Sequence, residues 1–245
     1  MGKSHLIGRI GSKTNDIKFF NHLLPLDVKK VVEPFGGSFA VIRDVYSDNK
    51  YKKYVNDNDE ILNHVYNHMK DLKNGYEKWN VINNMDINTK EKIKEFQKDN
   101  SIHDLIKKYI VDIKVIKNSI AKSKNMDDVD DEIKKFKKIN FTNEDAFETI
   151  EKHRKDKNTF IFLDPPYLFS DNSGYSAQNE KSDMTDYIFK IYDIMKDKKT
   201  KCKIMLIIND LKILRRIFQD FIKGDYNKIY QVGKKKMKHL IITNY

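Results

Sequence analysis

Phe160-Ile161-Phe162-Leu163-Asp164-Pro165-Pro166-Tyr167 decides the reading of this chain: an apolar run stops at an acid, two prolines and a tyrosine. Four consecutive apolar residues read as a strand buried on both faces. Proline has no N–H for the ladder and fixes its own φ, so Pro165 and Pro166 end the strand and leave Asp164 and Tyr167 at its carboxyl end. In an open α/β sheet that rim is where ligands sit. A carboxylate and a backbone carbonyl both accept hydrogen bonds, and Tyr167 offers an aromatic face. A flat, amine-bearing ring satisfies all three, as an enzyme working on the exocyclic amine of an extruded adenine requires. The same residues also make a plain strand-ending turn, so other parts of the chain must decide.

The strand-turn-helix rhythm recurs on both sides. Val31-Val32-Glu33-Pro34-Phe35-Gly36-Gly37-Ser38-Phe39-Ala40-Val41 reads as strand, glycine-rich turn and helix, the turn at which doubly wound folds bind cofactors. Gly-x-Gly-x-x-Gly is absent, and with it a dedicated pyrophosphate cradle. A glycine turn preceded by an acid suits a cofactor with a cationic amino-acid end. The next strand closes at Asp57, 20 residues past Gly37, the interval at which such folds place an acid on the ribose hydroxyls. Asp59 reads as the cap of the helix carrying Ile61, Leu62, Val65, Tyr66, Met69 and Leu72. Ahead of all this, Gly8 and Gly11 with Arg9 and Lys13 precede the amphipathic run Ile17, Phe20, Leu23, Leu24. That segment is either an ordinary cap or a backbone turn beside a ligand. After the strand Ile139-Asn140-Phe141, Asp145 either accepts from an adenine amine at the same rim or caps the following helix.

Between these parts, residues 74–138 change character, with dense Lys and Asp and no strand-like run. Thr89 and Ser101 read as caps of two helices, the second carrying Ile102, Leu105, Ile106, Tyr109, Ile110, Ile113, Ile116 and Ile120. The expected organisation is a sheet domain from 1–73 and 139–245 with a helical insert at 74–138. After Tyr167, residues 168–183 read as a polar loop, followed by a helix around Tyr187 to Met195 and a buried strand Lys203 to Ile208. The chain closes with strands at Ile229-Tyr230-Gln231-Val232 and Leu240 to Asn244, flanking the cationic tract Lys234-Lys235-Lys236-Met237-Lys238, a hairpin pattern. The 245 residues carry 47 Lys+Arg against 36 Asp+Glu, a net charge of +11 that favours a polyanionic partner. A single cysteine, Cys202, excludes an intramolecular disulfide and a cysteine-built metal cage and fits a reducing compartment. No apolar run is long enough to span a membrane, so the expectation is a soluble intracellular protein with no metal site.

Taken in order, the Gly/Lys N-terminal segment, Glu-Pro-Phe-Gly-Gly-Ser, an acid after the second strand, a helical insert, Asp-Pro-Pro-Tyr and a final Ile-Ile-Thr-Asn strand resemble the Dam-type adenine-specific DNA methyltransferases. The resemblance covers both ends of the chain and leaves the insert unmatched. It implies a seven-stranded, mostly parallel Rossmann-like sheet with helices on both sides and an antiparallel hairpin at the end. It also implies S-adenosylmethionine as methyl donor, double-stranded DNA as partner, GATC as target and the insert as target-recognition region. Residue by residue, Gly11 and Lys13 look like the N-terminal cofactor-binding segment, and Glu33, Pro34, Phe35, Gly36, Gly37 and Ser38 like the first cofactor loop. Asp57 looks like the ribose acid, and Asp145 with Ala146 like the contact to the cofactor's adenine. Asp164, Pro165, Pro166 and Tyr167 match the catalytic motif, Asp164 also bordering the cofactor. Phe39 departs from the pattern, standing where the family usually has a second glycine. A bulky side chain there is expected to crowd the methionine end of the cofactor or to shift the turn. Two alternatives stay open: a degenerate DNA-binding relative, or the same chemistry on a cytosine amine, RNA adenine or protein amide. Asp164 points to adenine, because protein-glutamine enzymes resemble Asn-Pro-Pro-Tyr and cytosine-amine enzymes often begin with serine.

Overall fold

A computed structural model describes residues 13–71, 98, 134–168, 184–229 and 236–245. Gly11, the caps Thr89 and Ser101, most of the expected insert, most of the loop after Tyr167 and the tract's Lys234 and Lys235 lie outside the described residues. Seven strands form one sheet: β1 (Lys30–Glu33), β2 (Lys52–Asn56), β3 (Ile139–Thr142), β4 (Thr159–Leu163), β5 (Lys203–Asn209), β6 (Ile222–Ile229) and β7 (Lys236–Thr243). Their spatial order is β3-β2-β1-β4-β5-β7-β6. Every pair from β3 to β5 is parallel, and β7 runs antiparallel to both β5 and β6. The direction of winding reverses between β1 and β4, which opens a crevice at their carboxyl ends.

Alternation along β4 explains why the sheet is covered twice. Phe160 and Phe162 enter one core with Phe20, Val41, Ile42, Leu62 and Tyr66, from helices α1 (Ile17–Phe20), α2 (Ala40–Asp44) and α3 (Glu60–Asp71). Ile161 and Leu163 enter the other with Ile150, Ile188, Ile191, Met195 and Leu214, from α4 (Ala146–His153), α5 (Met184–Lys196) and α6 (Lys212–Ile217). A doubly wound α/β sheet results, as the sequence pattern requires. Phe136, placed by sequence in the insert, packs its ring against Phe39, Tyr66 and Phe141 in the sheet's own core.

The hairpin differs from its expected bounds. β6 occupies Ile222–Ile229, and Lys236, Met237 and Lys238 belong to β7 instead of to the turn. β6 lies at the sheet edge, where charged residues are tolerated on an exposed strand, so its Ile-Lys-Gly-Asp-Tyr-Asn-Lys-Ile run lacks an apolar signature. The short α6 was likewise not legible as a helix, since it is six residues long and has no side-chain cap.

Candidate active site

The first half of the crevice is built where β1 and β2 end. Gly36 lies so close to β2 that a Cβ would stand 2.5 Å from Val55 Cγ1 and 2.9 Å from the Asn56 carbonyl oxygen, and its own N–H donates to that carbonyl at 2.7 Å. Gly37 follows at φ +49°, and a Cβ there would meet nothing within 4 Å, so its outer face is open space. Its N–H donates to Asp57 Oδ2 at 2.7 Å, while Asp57 Oδ1 accepts from the Asp59 N–H at 2.9 Å. The glycine turn and the acid 20 residues on are thus joined directly, by a backbone hydrogen bond that the sequence interval alone did not predict. Asp59 caps α3 through the Leu62 N–H, as expected.

One residue that sequence reasoning passed over ties three strand ends together. Asn56 donates to the carbonyls of Pro34 and Glu144 and accepts from the Thr142 hydroxyl and the Glu144 N–H, at 2.8 to 3.1 Å, and is almost wholly buried. All the hydrogen-bonding capacity this lattice uses is satisfied, so the loops after β1, β2 and β3 hold one another rigid. Arg43 does similar work behind the turn, donating to the Ser38 carbonyl and the Thr14 hydroxyl. Its signal was only a basic residue in a helix.

Glu33 sits behind the turn. Its Oε1 accepts from the Ile42 N–H at 2.6 Å, supplying the acceptor that Phe39 fails to provide at the start of α2. Burial pushes its pKa up to about 8, against the pull of that hydrogen bond and of Arg43, with the Asp164 charge adding to the rise. Pro34 is buried and Phe35 half-buried beside the second core.

Phe39 answers the question raised by its place in the sequence. Its backbone is left-handed, φ 38° and ψ 45°, the conformation for which glycine is favoured. Its ring, however, points into the first core, edge-on to Tyr66, Phe136 and Phe141 at 5.0 to 5.6 Å. It fills the sheet's interior and does not project into the space beside Gly37.

At β3, Asp145 is the N-cap of α4, Oδ1 accepting from the N–H groups of Phe147 and Glu148. Its carboxylate remains exposed at the rim while Ala146 is buried. Beside it Phe147 meets Tyr187 of α5, ring centroids 5.0 Å apart, and the nearby Asp145 charge joins burial in raising the tyrosine's pKa. This apolar edge of the crevice had no separate sequence signal.

The second half of the crevice is the turn after β4. Asp164 keeps 21% of its side-chain exposure, and Lys13 Nζ lies 2.5 Å from its Oδ2. Loss of water pushes the Asp164 pKa up, and the Lys13 charge and hydrogen bond oppose that rise. Tyr167 donates its hydroxyl to Asp164 Oδ1 at 3.4 Å, and the Lys13 ammonium stands 5.3 Å from its ring centroid. Pro165 is buried between them and Pro166 half-buried. Lys13 is fixed in turn by the chain that follows it: the N–H groups of Asp16 and Ile17 donate to its carbonyl, and buried Asp16 pairs with Lys228 Nζ at 2.7 Å and accepts from Tyr226. Lys13, 151 residues from Asp164, thus meets Asp164 and Tyr167 at one point. Among the described residues no group of three or more His, Cys, Asp or Glu could hold a metal ion.

A strand-end acid with a half-exposed ring and a glycine turn bonded to a second acid thus stand on either side of the topological switch point. The model for D12 class N6 adenine-specific DNA methyltransferases matches residues 10–113 and 104–237. The chain belongs to that family. It is a DNA methyltransferase of the N6-adenine class, and the Dam-type resemblance read from its motifs is upheld. It is also similar to the type II methyltransferase M.CviBI of Paramecium bursaria Chlorella virus NC1A, with 24% identity over 272 residues covering 96% of this chain and 97% of that one. Among the described residues no helix is long and apolar enough to cross a membrane.

Proposed function

We propose that this D12 class methyltransferase moves the methyl group of S-adenosylmethionine to the N6 amine of an adenine extruded from double-stranded DNA, at one short recognition sequence. The observation that carries the reading is the pairing, across the β1/β4 switch point, of Asp164 and Tyr167 with the open Gly37–Asp57 cradle.

The cradle suits the cofactor's chemistry. Asp57 accepts from the backbone N–H groups of Gly37 and Asp59, which fixes its carboxylate at the end of β2, the place at which such folds meet a cofactor's ribose hydroxyls. Burial raises the pKa values of Glu33 and Asp164, and a cationic methionine end arriving beside them would favour the charged form of each. Asp145, Ala146 and the Phe147–Tyr187 edge border the place for its adenine. Bound there, S-adenosylmethionine supplies an already activated methyl group.

The protein's own task is then orientation. An aryl amine is a weak nucleophile because its lone pair is delocalised into the ring. Asp164 and the Pro165 carbonyl accept the two amine hydrogens, hold the lone pair out of conjugation, and stabilise the positive charge that grows on nitrogen. Tyr167 stacks on the extruded base and offsets part of the few kcal/mol lost in unstacking it. Lys13 balances the Asp164 charge until the amine takes its place as donor. The +11 net charge draws the chain to DNA, residues 74–138 read the target sequence, and the enzyme works wherever its DNA lies inside the cell.

The test is transfer of labelled methyl from S-adenosylmethionine to unmethylated double-stranded DNA, followed by nucleoside analysis and mapping. N6-methyladenine at one recurring short site is expected. Label on cytosine, RNA or protein, or no transfer by a protein that binds the cofactor, would defeat the proposal.

A further inference from the structure

His239 lies in the last strand, far in sequence from every motif of the site, yet its ring packs against Tyr167 with centroids 5.2 Å apart and planes inclined by 58°. It is fully buried. In the sheet it stands between Asn209 of β5 and Tyr226 of β6, directly opposite each in register. The Tyr226 ring stacks on it at 5.2 Å and 19°, and Phe19 stacks on the far side of Tyr226 at 4.8 Å. Burial and the charges of Lys13 and Lys228 push its pKa down to about 3, so the ring is neutral at working pH. Its cross-strand partner Asn209 grips the neighbouring residue, donating to the Leu168 carbonyl at 3.3 Å.

Tyr167 follows two prolines at a strand end, and its hydroxyl meets Asp164 of the same turn. Its hydroxyl bond to Asp164 is long, which leaves the ring plane to be set by what it packs on. Beside the Lys13 ammonium, its aromatic contact comes from β7, the central strand of the antiparallel half of the sheet. We infer that His239 is a positioning residue: as a flat, neutral platform it sets the plane in which Tyr167 meets the target base, with Asn209 holding the adjoining backbone. This rests on the reading that Tyr167 stacks on an extruded adenine.

The full-length enzyme serves for the test, with His239→Ala, His239→Phe and His239→Leu compared for melting temperature, S-adenosylmethionine affinity and single-turnover methyl transfer. An aromatic contact is worth about 0.5–1.5 kcal/mol, so His239→Ala is expected to slow transfer roughly two- to ten-fold with cofactor affinity unchanged. His239→Phe, which keeps a flat neutral ring, is expected to stay within about two-fold of wild type. A wild-type rate in His239→Ala, a loss confined to cofactor affinity, or equal slowing in the Phe and Ala variants would overturn the inference. Should His239→Ala fail to fold, the Phe and Leu variants decide: Phe fast and Leu slow supports it, and equal rates overturn it. Failure of the underlying reading looks different, because then the wild type itself transfers no methyl to adenine.

Discussion

The two loops that form the crevice are held in place by different means. The loop after β1 is fixed by its own backbone and by neighbouring strand ends: Gly36 on the Asn56 carbonyl, Gly37 on Asp57, Pro34 on the Asn56 amide. The loop after β4 is positioned by side chains from distant parts of the chain, with Lys13 on Asp164, His239 on the Tyr167 ring and Asn209 on the Leu168 carbonyl. A backbone lattice gives a rigid cradle for a constant ligand. Side-chain contacts around a carboxylate give a place whose charge can be handed from an internal ammonium to an incoming amine. Damage to the first loop should therefore register as lost stability or cofactor affinity, and damage to the second as lost rate.

The largest effect expected on the first side comes from Phe39→Gly. Glycine relieves about 1–2 kcal/mol of left-handed strain, but removing the buried ring costs about 3–5 kcal/mol, so the packing loss wins. Thermal or urea unfolding should show a net loss of about 1–4 kcal/mol with cofactor affinity, measured below the new melting temperature, little changed. A large loss of affinity would place the ring's influence in the crevice after all. On the second side, Tyr167→Ala should slow single-turnover transfer about ten- to a hundred-fold, since base stacking on an aromatic ring is worth about 1–3 kcal/mol, and leave stability nearly intact. A third effect is a pH slope. Glu33 has a folded pKa of about 8 against an ordinary 4.5, so the cofactor-free fold binds this proton more tightly than the unfolded chain does. The resulting stabilisation is full below pH 4.5 and is lost as pH rises toward 8. Glu33→Gln keeps an acceptor for Ile42 and carries no charge, so its melting temperature should fall less than the wild type's between those limits. Parallel melting curves for the two proteins across that range would remove Glu33 as the source.

What the sequence showed and what it hid follow the same division. The β1 loop and its acid were legible because close backbone approach demands glycine and because the interval from Gly37 to Asp57 is set by one strand-helix-strand unit. Asp164 and Tyr167 were legible as types, since the prolines end an apolar run and the glycine turn and acid elsewhere in the chain weigh against a plain strand-ending turn. What surrounds them was hidden, because whether Lys228, Tyr226 or His239 comes to this turn depends on the register of a hairpin whose edge strand, β6, carries no apolar signature. Asn56 was equally silent: a buried amide with all its bonds made looks in sequence like any polar strand end. Phe39 was read as an obstacle because its position was visible and its rotamer was not.

The most direct measurement sets the two loops against each other: cofactor affinity and single-turnover methyl transfer at saturating S-adenosylmethionine, for Asp57→Asn and Asp164→Ala. Losing a charge-assisted hydrogen bond costs about 1.5–3 kcal/mol, so Asp57→Asn should weaken cofactor binding about ten- to a hundred-fold yet transfer at near the wild-type rate once saturated. Asp164→Ala should bind the cofactor within a few-fold of wild type and lose about a thousand-fold or more in rate. Full transfer by Asp164→Ala, or loss of binding and rate together in both variants, would contradict the division of labour on which the mechanism stands.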